Sequence, residues 1–189
     1  MASLTNVHQY SGKIHLIMGP MFSGKTTELL RIYNRFRIAN KLCILVKYKN
    51  DNRYDNDNKV VTHNNKCNDA QFACTHLSDI FRNKKLIEAD IICIDEIQFF
   101  PDADIICDMW ANNGKTVVVS GLNGDYKREP FEIISKLIPK SENITLLNAV
   151  CKETGKEAYF TKRKTESKDK LLIGGEEIYD AVCRIKYFN

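Results

Sequence analysis

The chain has 189 residues, 43% of them apolar and 28% charged, with 28 basic against 24 acidic side chains and a net charge of +4. That length gives one domain with at most a small appendage, and the near balance of charge excludes the basic footprint of a nucleic-acid binder. No stretch approaches the ~20 uninterrupted apolar residues of a membrane span, and residues 1–10 are polar, without the apolar segment of a secretory leader.

Lys13 to Met18 is a short apolar run suited to a buried strand. Gly19-Pro20-Met21-Phe22-Ser23-Gly24-Lys25-Thr26 follows and fits the phosphate-binding loop pattern Gly-x4-Gly-Lys-Ser/Thr without a gap. Thr26 to Ala39 then has helical spacing, with Leu29, Leu30, Tyr33, Phe36 and Ala39 on one face. A strand, a glycine loop and a helix in that order place backbone N–H groups and the positive end of a helix around an anionic phosphate. In that chemistry the Lys25 ammonium meets the β- and γ-phosphates, and the Thr26 hydroxyl holds Mg²⁺. An ordinary glycine turn before a helix is the bland alternative.

Leu42 to Val46, Ile91 to Ile94, Thr116 to Val119 and Ile144 to Val150 are further strand candidates. Helical stretches over residues 77–89, 103–112 and 130–137 separate them, and Gly114 stops the second of these. β-Branched runs without polar alternation are what a parallel sheet covered on both faces requires. Residues 48–67, crowded with Asn, Asp and Lys, read as a mobile loop. Seven cysteines is an odd number. Cys43 and Cys93 lie in strand-like runs and Cys107 in a helical one, which suits reduced core residues and a cytoplasmic protein. The character of the chain changes near residue 150.

The third strand ends in Asp95-Glu96. In nucleoside-triphosphate sites an acid at the tip of a neighbouring strand binds Mg²⁺, usually through water, and Asp95 takes that place. A carboxylate one residue further on can accept the proton of the reacting hydroxyl, which assigns Glu96 as general base. Alone, two acids after an apolar run would also describe a solvated strand end. Phe99 and Phe100 read either as core plugs or, for one of them, as a wall against a planar base.

Taken in order, the octet, Asp51-Asn52-Arg53-Tyr54, Ile94 to Asp102, Leu122-Asn123-Gly124 with Arg128 and Pro130-Phe131, Ala149-Val150-Cys151, Thr161-Lys162-Arg163, Ile173-Gly174-Gly175, Tyr179 and Val182-Cys183-Arg184 resemble the type II thymidine kinases. The resemblance runs from about Lys13 to Phe188. It implies an α/β fold: a P-loop domain over residues 1–150, built on a parallel sheet with helices on both faces, and a small C-terminal lasso domain over residues 151–189 that closes on the nucleoside. It implies transfer of the γ-phosphate of ATP to the 5′-hydroxyl of thymidine, with Glu96 as base. Asp51 and Arg53 match positions near the phosphates, and Gln98 follows the acidic pair at the nucleotide. Met21, Phe99, Leu122, Tyr126, Phe131 and Thr161 match positions around the base, and Tyr179 matches a residue touching the sugar or base. Main-chain groups at Leu171, Leu172 and Ile173, continued by Gly174, match those that read the thymine edge. Tyr126 stands where the family usually has Phe, and Asn123 where it more often has Asp.

The family's small domain carries a structural zinc held by two Cys-x2-Cys pairs. Here Cys151 is followed three residues on by Thr154, and Cys183 by Lys186. Two thiolates fall short of the four ligands such a site needs, so zinc is not expected. ATP and Mg²⁺ are the expected cofactors and a small nucleoside the partner, with no nucleic acid and no membrane. The resemblance also implies a homo-tetramer. Two alternatives stay open: a kinase of the same fold with shifted nucleoside preference, such as deoxyuridine, and a non-catalytic or regulatory P-loop nucleotide binder.

Overall fold

A computed structural model describes residues 12–51, 59–61, 67–166 and 174–188. The site candidates Arg53, Leu171, Leu172 and Ile173 lie outside the described residues. In chain order the elements are β1 (Lys13–Gly19), α1 (Lys25–Ile38), β2 (Cys43–Tyr48), β3 (Lys59–Val61), β4 (Cys67–Asp69), β5 (Phe72–Cys74), α2 (Lys84–Glu88), β6 (Ile91–Ile94), α3 (Ala103–Asn112), β7 (Thr116–Leu122), α4 (Glu132–Leu137), β8 (Asn143–Leu146), β9 (Ala149–Val150), β10 (Glu157–Ala158), β11 (Phe160–Arg163), β12 (Tyr179–Val182) and α5 (Arg184–Phe188).

Six strands form one sheet in the order β5-β2-β6-β7-β1-β8, and every pairing in it is parallel. Side chains alternate across a strand, and each central strand here feeds both faces. Ile14 and Leu16, Ile44 and Val46, Ile92 and Ile94, and Val117 and Val119 pack on one side with Trp110 of α3 and Ile134 of α4. Residues of opposite parity, Ile17, Leu45, Cys93 and Val118, pack on the other side against Leu29, Ile32 and Tyr33 of α1. The continuous apolar runs therefore report a sheet covered twice, as expected. Parallel order also brings the carboxyl ends of β1, β2, β6 and β7 to one edge, and the functional residues gather there.

Several elements differ from the sequence reading. The helix expected over residues 77–89 is a 3₁₀ turn at Leu77–Asp79 and the short α2. The Asn83 side chain accepts the Lys85 N–H and restarts the helix, while the Asp102 carboxylate takes the N–H groups of Leu77 and Ser78. Such polar side chains compete with the helical ladder. The loop expected over residues 48–67 contains β3, which pairs antiparallel with β4 and buries Val60 in the α1-side core. The run from Ile144 to Val150 breaks after Leu146: Leu147 still donates to the Met18 carbonyl at 2.8 Å, but Ala149 and Val150 pair with β10 in a separate ribbon. The helix stop at Gly114 holds. That residue has φ +82°, the left-handed conformation that glycine adopts without strain.

Beyond residue 148, β9–β10 and β11–β12 form two antiparallel ribbons. The buried cluster they share consists of Ala149, Cys151, Ala158, Ala181 and Cys183, with Phe22 of the glycine loop packed against it. These five side chains are small.

Leu16 is fully buried on a strand paired on both sides. Leu16→Ala is expected to lower the unfolding free energy by about 2–5 kcal/mol. A loss below about 1 kcal/mol in urea titrations would contradict the packing described. A second expectation concerns His15, whose Nε2 lies 2.8 Å from Thr145 Oγ1. Burial holds its imidazole below the ordinary value of 6.5, against the opposing pull of Glu28. The folded chain thus favours the neutral ring, and the unfolded chain takes up the proton first as pH falls through 6.5. Stability is expected to decline on acidification below that point, and His15→Gln is expected to flatten that part of the profile. An unaltered pH profile in the variant would contradict the assignment.

Candidate active site

β1 ends at Gly19, between β7 and β8. A Cβ at Gly19 would stand 2.5 Å from the Leu147 carbonyl oxygen, so only glycine permits this approach. The loop then passes through left-handed conformations at Phe22 (φ +63°) and Gly24 (φ +82°) before α1 begins at Lys25. Ser23 Oγ donates to the Pro20 carbonyl at 2.8 Å. Lys25 Nζ donates to the same carbonyl at 2.7 Å, which draws a buried ammonium back over the loop. The loop, the amino end of α1 and this cation make an anion site in the expected place.

Asp95 follows the last residue of β6 and is 8% exposed. A buried carboxylate needs donors. Thr26 Oγ1 donates to Asp95 Oδ2 at 3.0 Å, and Ser120 Oγ of β7 donates to Asp95 Oδ1. Its backbone N–H is bonded to the Val46 carbonyl at 3.1 Å, which fixes the strand tip against β2.

Glu96, also 8% exposed, adopts φ +54° and ψ +47°. A non-glycine residue in that region is uncommon, and such strain costs on the order of 1–3 kcal/mol and gathers at functional sites. It accompanies a sharp turn into the 3₁₀ segment Ile97–Phe99. Gln98 Nε2 donates to Glu96 Oε2 at 2.5 Å, and Gln98 Oε1 accepts the Leu122 N–H at 3.2 Å. Adjacent carboxylates are thereby held by different partners: Asp95 by the hydroxyls of the glycine-loop helix and β7, Glu96 by the amide of Gln98.

The residues matched to the base spread around this centre. Met21 N–H donates to Thr161 Oγ1 at 3.0 Å, which ties the glycine loop to β11. Tyr126 and Tyr179 meet at Arg163, whose Nη2 donates to the Tyr179 phenol at 2.7 Å and whose guanidinium carbon lies 3.9 Å from the Tyr126 ring centroid. The two phenylalanines divide: Phe100 is wholly buried core, whereas Phe99 is part-exposed and lies 5.0 Å from the Tyr48 ring. Leu122 joins the site through Gln98. Phe131 is 6% exposed and joins the core cluster that also takes in α3 and α4. Asp51 follows β2, its N–H bonded to the Tyr48 carbonyl at 3.2 Å. Gly174 is buried, and a Cβ there would meet Ile178 Cδ1 at 2.2 Å.

Two contributors carried no role in the sequence reading. Ser120 ends up fully buried on Asp95; its signal was a hydroxyl continuing the apolar run Thr116 to Val119. Arg163 stood in a quoted motif but received no task. An open cavity of about 850 Å³ borders the glycine loop at Pro20, lined also by Asn123, Leu146, Phe160 and Arg184 among others, and by none of Lys25, Asp95 or Glu96.

The metals can be tested against these donors. Hydroxyl and carboxylate oxygens at Thr26 and Asp95 fit Mg²⁺, which takes one or two protein carboxylates and completes its shell with phosphates and water. The second metal does not fit. Thr154 Oγ1 lies 3.6 Å from Cys183 Sγ. Hydrogen bonds from the Thr154 hydroxyl and then the Cys183 N–H pull the Cys151 thiol down to about 7. Two thiols and a hydroxyl are not a four-ligand zinc set.

A family model described as thymidine kinase matches residues 12–187. The chain belongs to the thymidine kinase family. It is 49% identical over 181 residues to thymidine kinase 1 of Dictyostelium discoideum, covering 94% of this chain and 78% of that one. It is 45% identical over 179 residues to the thymidine kinase of Myxoma virus strain Lausanne, covering 95% and 98%. To the cytosolic thymidine kinase of Gallus gallus it is 44% identical over 177 residues, covering 94% and 77%. Among solved structures, the flagellar accessory protein FlaH of Methanocaldococcus jannaschii shares the fold, with a TM-score of 0.50 at 12% identity over 84% of this chain and 75% of that one. Among the described residues no helix is long and apolar enough to cross a membrane.

Gly121 lies under the Gln98 bridge. A Cβ there would stand 2.7 Å from Gln98 Oε1 and 2.8 Å from Ile97 Cγ2. Gly121→Ala is expected to dislodge Gln98 from Glu96 and lower kcat by about 10²-fold, the scale of a 1 Å misplacement. A variant with the parent kcat would show that the bridge is dispensable.

Proposed function

We propose that this thymidine kinase family member transfers the γ-phosphate of ATP to the 5′-hydroxyl of thymidine, accepting deoxyuridine as well, with Glu96 as the general base. The observation that carries the reading is the separation of the two acids. Asp95 is committed to Thr26 and Ser120, while Glu96 is aimed by Gln98.

In this reading the glycine loop and Lys25 hold the triphosphate. Thr26 and Asp95 hold Mg²⁺, which neutralises charge on the phosphate oxygens when bound. Glu96 accepts the 5′-hydroxyl proton as the oxygen attacks phosphorus, and the bond from the γ-phosphorus to the bridging oxygen of ADP breaks. Arg53 and Lys25 meet the charge that spreads over the transferring group, with Asp51 and Gln98 beside the nucleotide. Met21, Phe99, Leu122, Tyr126, Thr161 and Tyr179 surround the nucleoside, with Leu171, Leu172, Ile173 and Gly174 closing over it as a lasso domain of residues 151–189. Phe131 stands with them around the base, buried on its far side in the core. The same reading takes the working unit as a homo-tetramer on family resemblance and its place as the cytoplasm, the latter in line with the description of the chicken relative.

Glu96→Gln is expected to bind ATP normally and to lose roughly 10²–10⁴-fold in kcat, the range of general base catalysis. Undiminished turnover would remove Glu96 from the role. Lys25→Ala is expected to weaken ATP binding and turnover together, and an unchanged ATP affinity in calorimetry would contradict the loop assignment.

A further inference from the structure

Side chains two apart on a strand share a face, so Arg163 projects on the same side of β11 as Thr161. That side faces the glycine loop, because Thr161 Oγ1 accepts the Met21 N–H at 3.0 Å. Directly across the ladder Arg163 pairs with Tyr179, and Thr161 with Ala181. The Arg163 guanidinium makes two kinds of contact. Its Nη2 donates to the Tyr179 phenol oxygen at 2.7 Å. Its planar carbon lies 3.9 Å from the Tyr126 ring centroid and 5.3 Å from that of Tyr179. One cation therefore joins the loop between β7 and α4 to strand β12, two segments far apart in the chain. The main chain at Tyr126 is held as well: the Tyr187 hydroxyl of α5 donates to the Tyr126 carbonyl at 2.9 Å.

We infer that Arg163 is a positioning residue that locks Tyr126 and Tyr179 together as the aromatic wall of the nucleoside pocket. The inference rests on the reading of that pocket given above. A guanidinium suits the task better than an ammonium, since its flat face stacks on a ring while its N–H groups stay in plane to bond a phenol. By accepting from Arg163, the Tyr179 oxygen also turns its own proton away from the guanidinium. The effect belongs to nucleoside binding, because none of these contacts reaches Lys25, Thr26 or Asp95.

Steady-state kinetics with thymidine and ATP varied separately would test this on the full chain, comparing the parent with Arg163→Gln, Arg163→Lys and Tyr179→Phe. Arg163→Gln is expected to raise KM for thymidine about tenfold while KM for ATP stays within about twofold, the size of a lost desolvated cation–aromatic contact and its hydrogen bond. Arg163→Lys, which keeps the charge over Tyr126, is expected to recover part of the loss. Tyr179→Phe removes one oxygen, keeps the test available if Arg163→Gln fails to fold, and is expected to move KM for thymidine in the same direction. An unchanged thymidine KM in Arg163→Gln, or a parallel rise in both KM values as a collapsed lobe would give, overturns the inference. A parent enzyme that makes no thymidine monophosphate overturns the underlying reading instead.

Discussion

Much of this molecule depends on one buried carboxylate. Asp95 stands at the tip of a central parallel strand, 8% exposed, where an ionised group is tolerated only with donors around it. Two hydroxyls supply them, that of Thr26 on the first turn of α1 and that of Ser120 on β7, while the Asp95 backbone N–H donates to the Val46 carbonyl of β2. The bonds pin the helix that follows the glycine loop against the sheet edge. The glycine loop and the acid next to it are thus held together by bonds within the chain itself, the kind of fixed arrangement that electrostatic preorganisation requires.

Glu96 shows how the same constraint separates two chemically alike residues. Were the strand to continue, successive side chains would simply alternate faces. A left-handed residue and a 3₁₀ turn interrupt it here, and Gln98 catches the second carboxylate while bracing against Leu122. Close packing at Gly121 leaves the bridge little room to shift. One acid is therefore tied to the helix after the glycine loop, and its neighbour is held through the end of β7. The covalent order Asp-Glu is short, but the local backbone gives the two acids different partners.

The small lobe solves a different problem. Its buried cluster is built from alanines and two cysteines, and the thiols are linked by a threonine hydroxyl. Contacts beyond that cluster hold it in place: Phe22 of the glycine loop packs on it, Thr161 takes the Met21 N–H, and Arg128 lies 4.6 Å from the Tyr187 ring centroid. Attachment of this kind couples the lobe to the glycine loop.

The sheet and the glycine loop were legible in the sequence because their signals are local: unbroken β-branched runs, and eight residues whose spacing has one chemical use. The pair Asp95-Glu96 was legible from its place after such a run. What escaped depends on distant partners. Asn83 and Asp102 together decide that residues 77–89 are two short turns, and nothing within that window announces the second of them. Ile144 to Val150 reads as one apolar run broken only by Thr145 and Asn148, and the single polar Asn148 is a weak mark for the break after Leu146, where the chain leaves one sheet for another. Ser120 and Arg163 acquire their roles from Asp95, Tyr126 and Tyr179, each remote in sequence.

The most direct measurement is the product formed when the purified chain receives ATP and Mg²⁺ with thymidine, and in parallel with deoxyuridine, deoxycytidine and deoxyadenosine. The account requires thymidine monophosphate to form fastest, with deoxyuridine behind it. Folded protein that binds ATP but phosphorylates none of the four would contradict the account and leave a nucleotide binder without a transferase site.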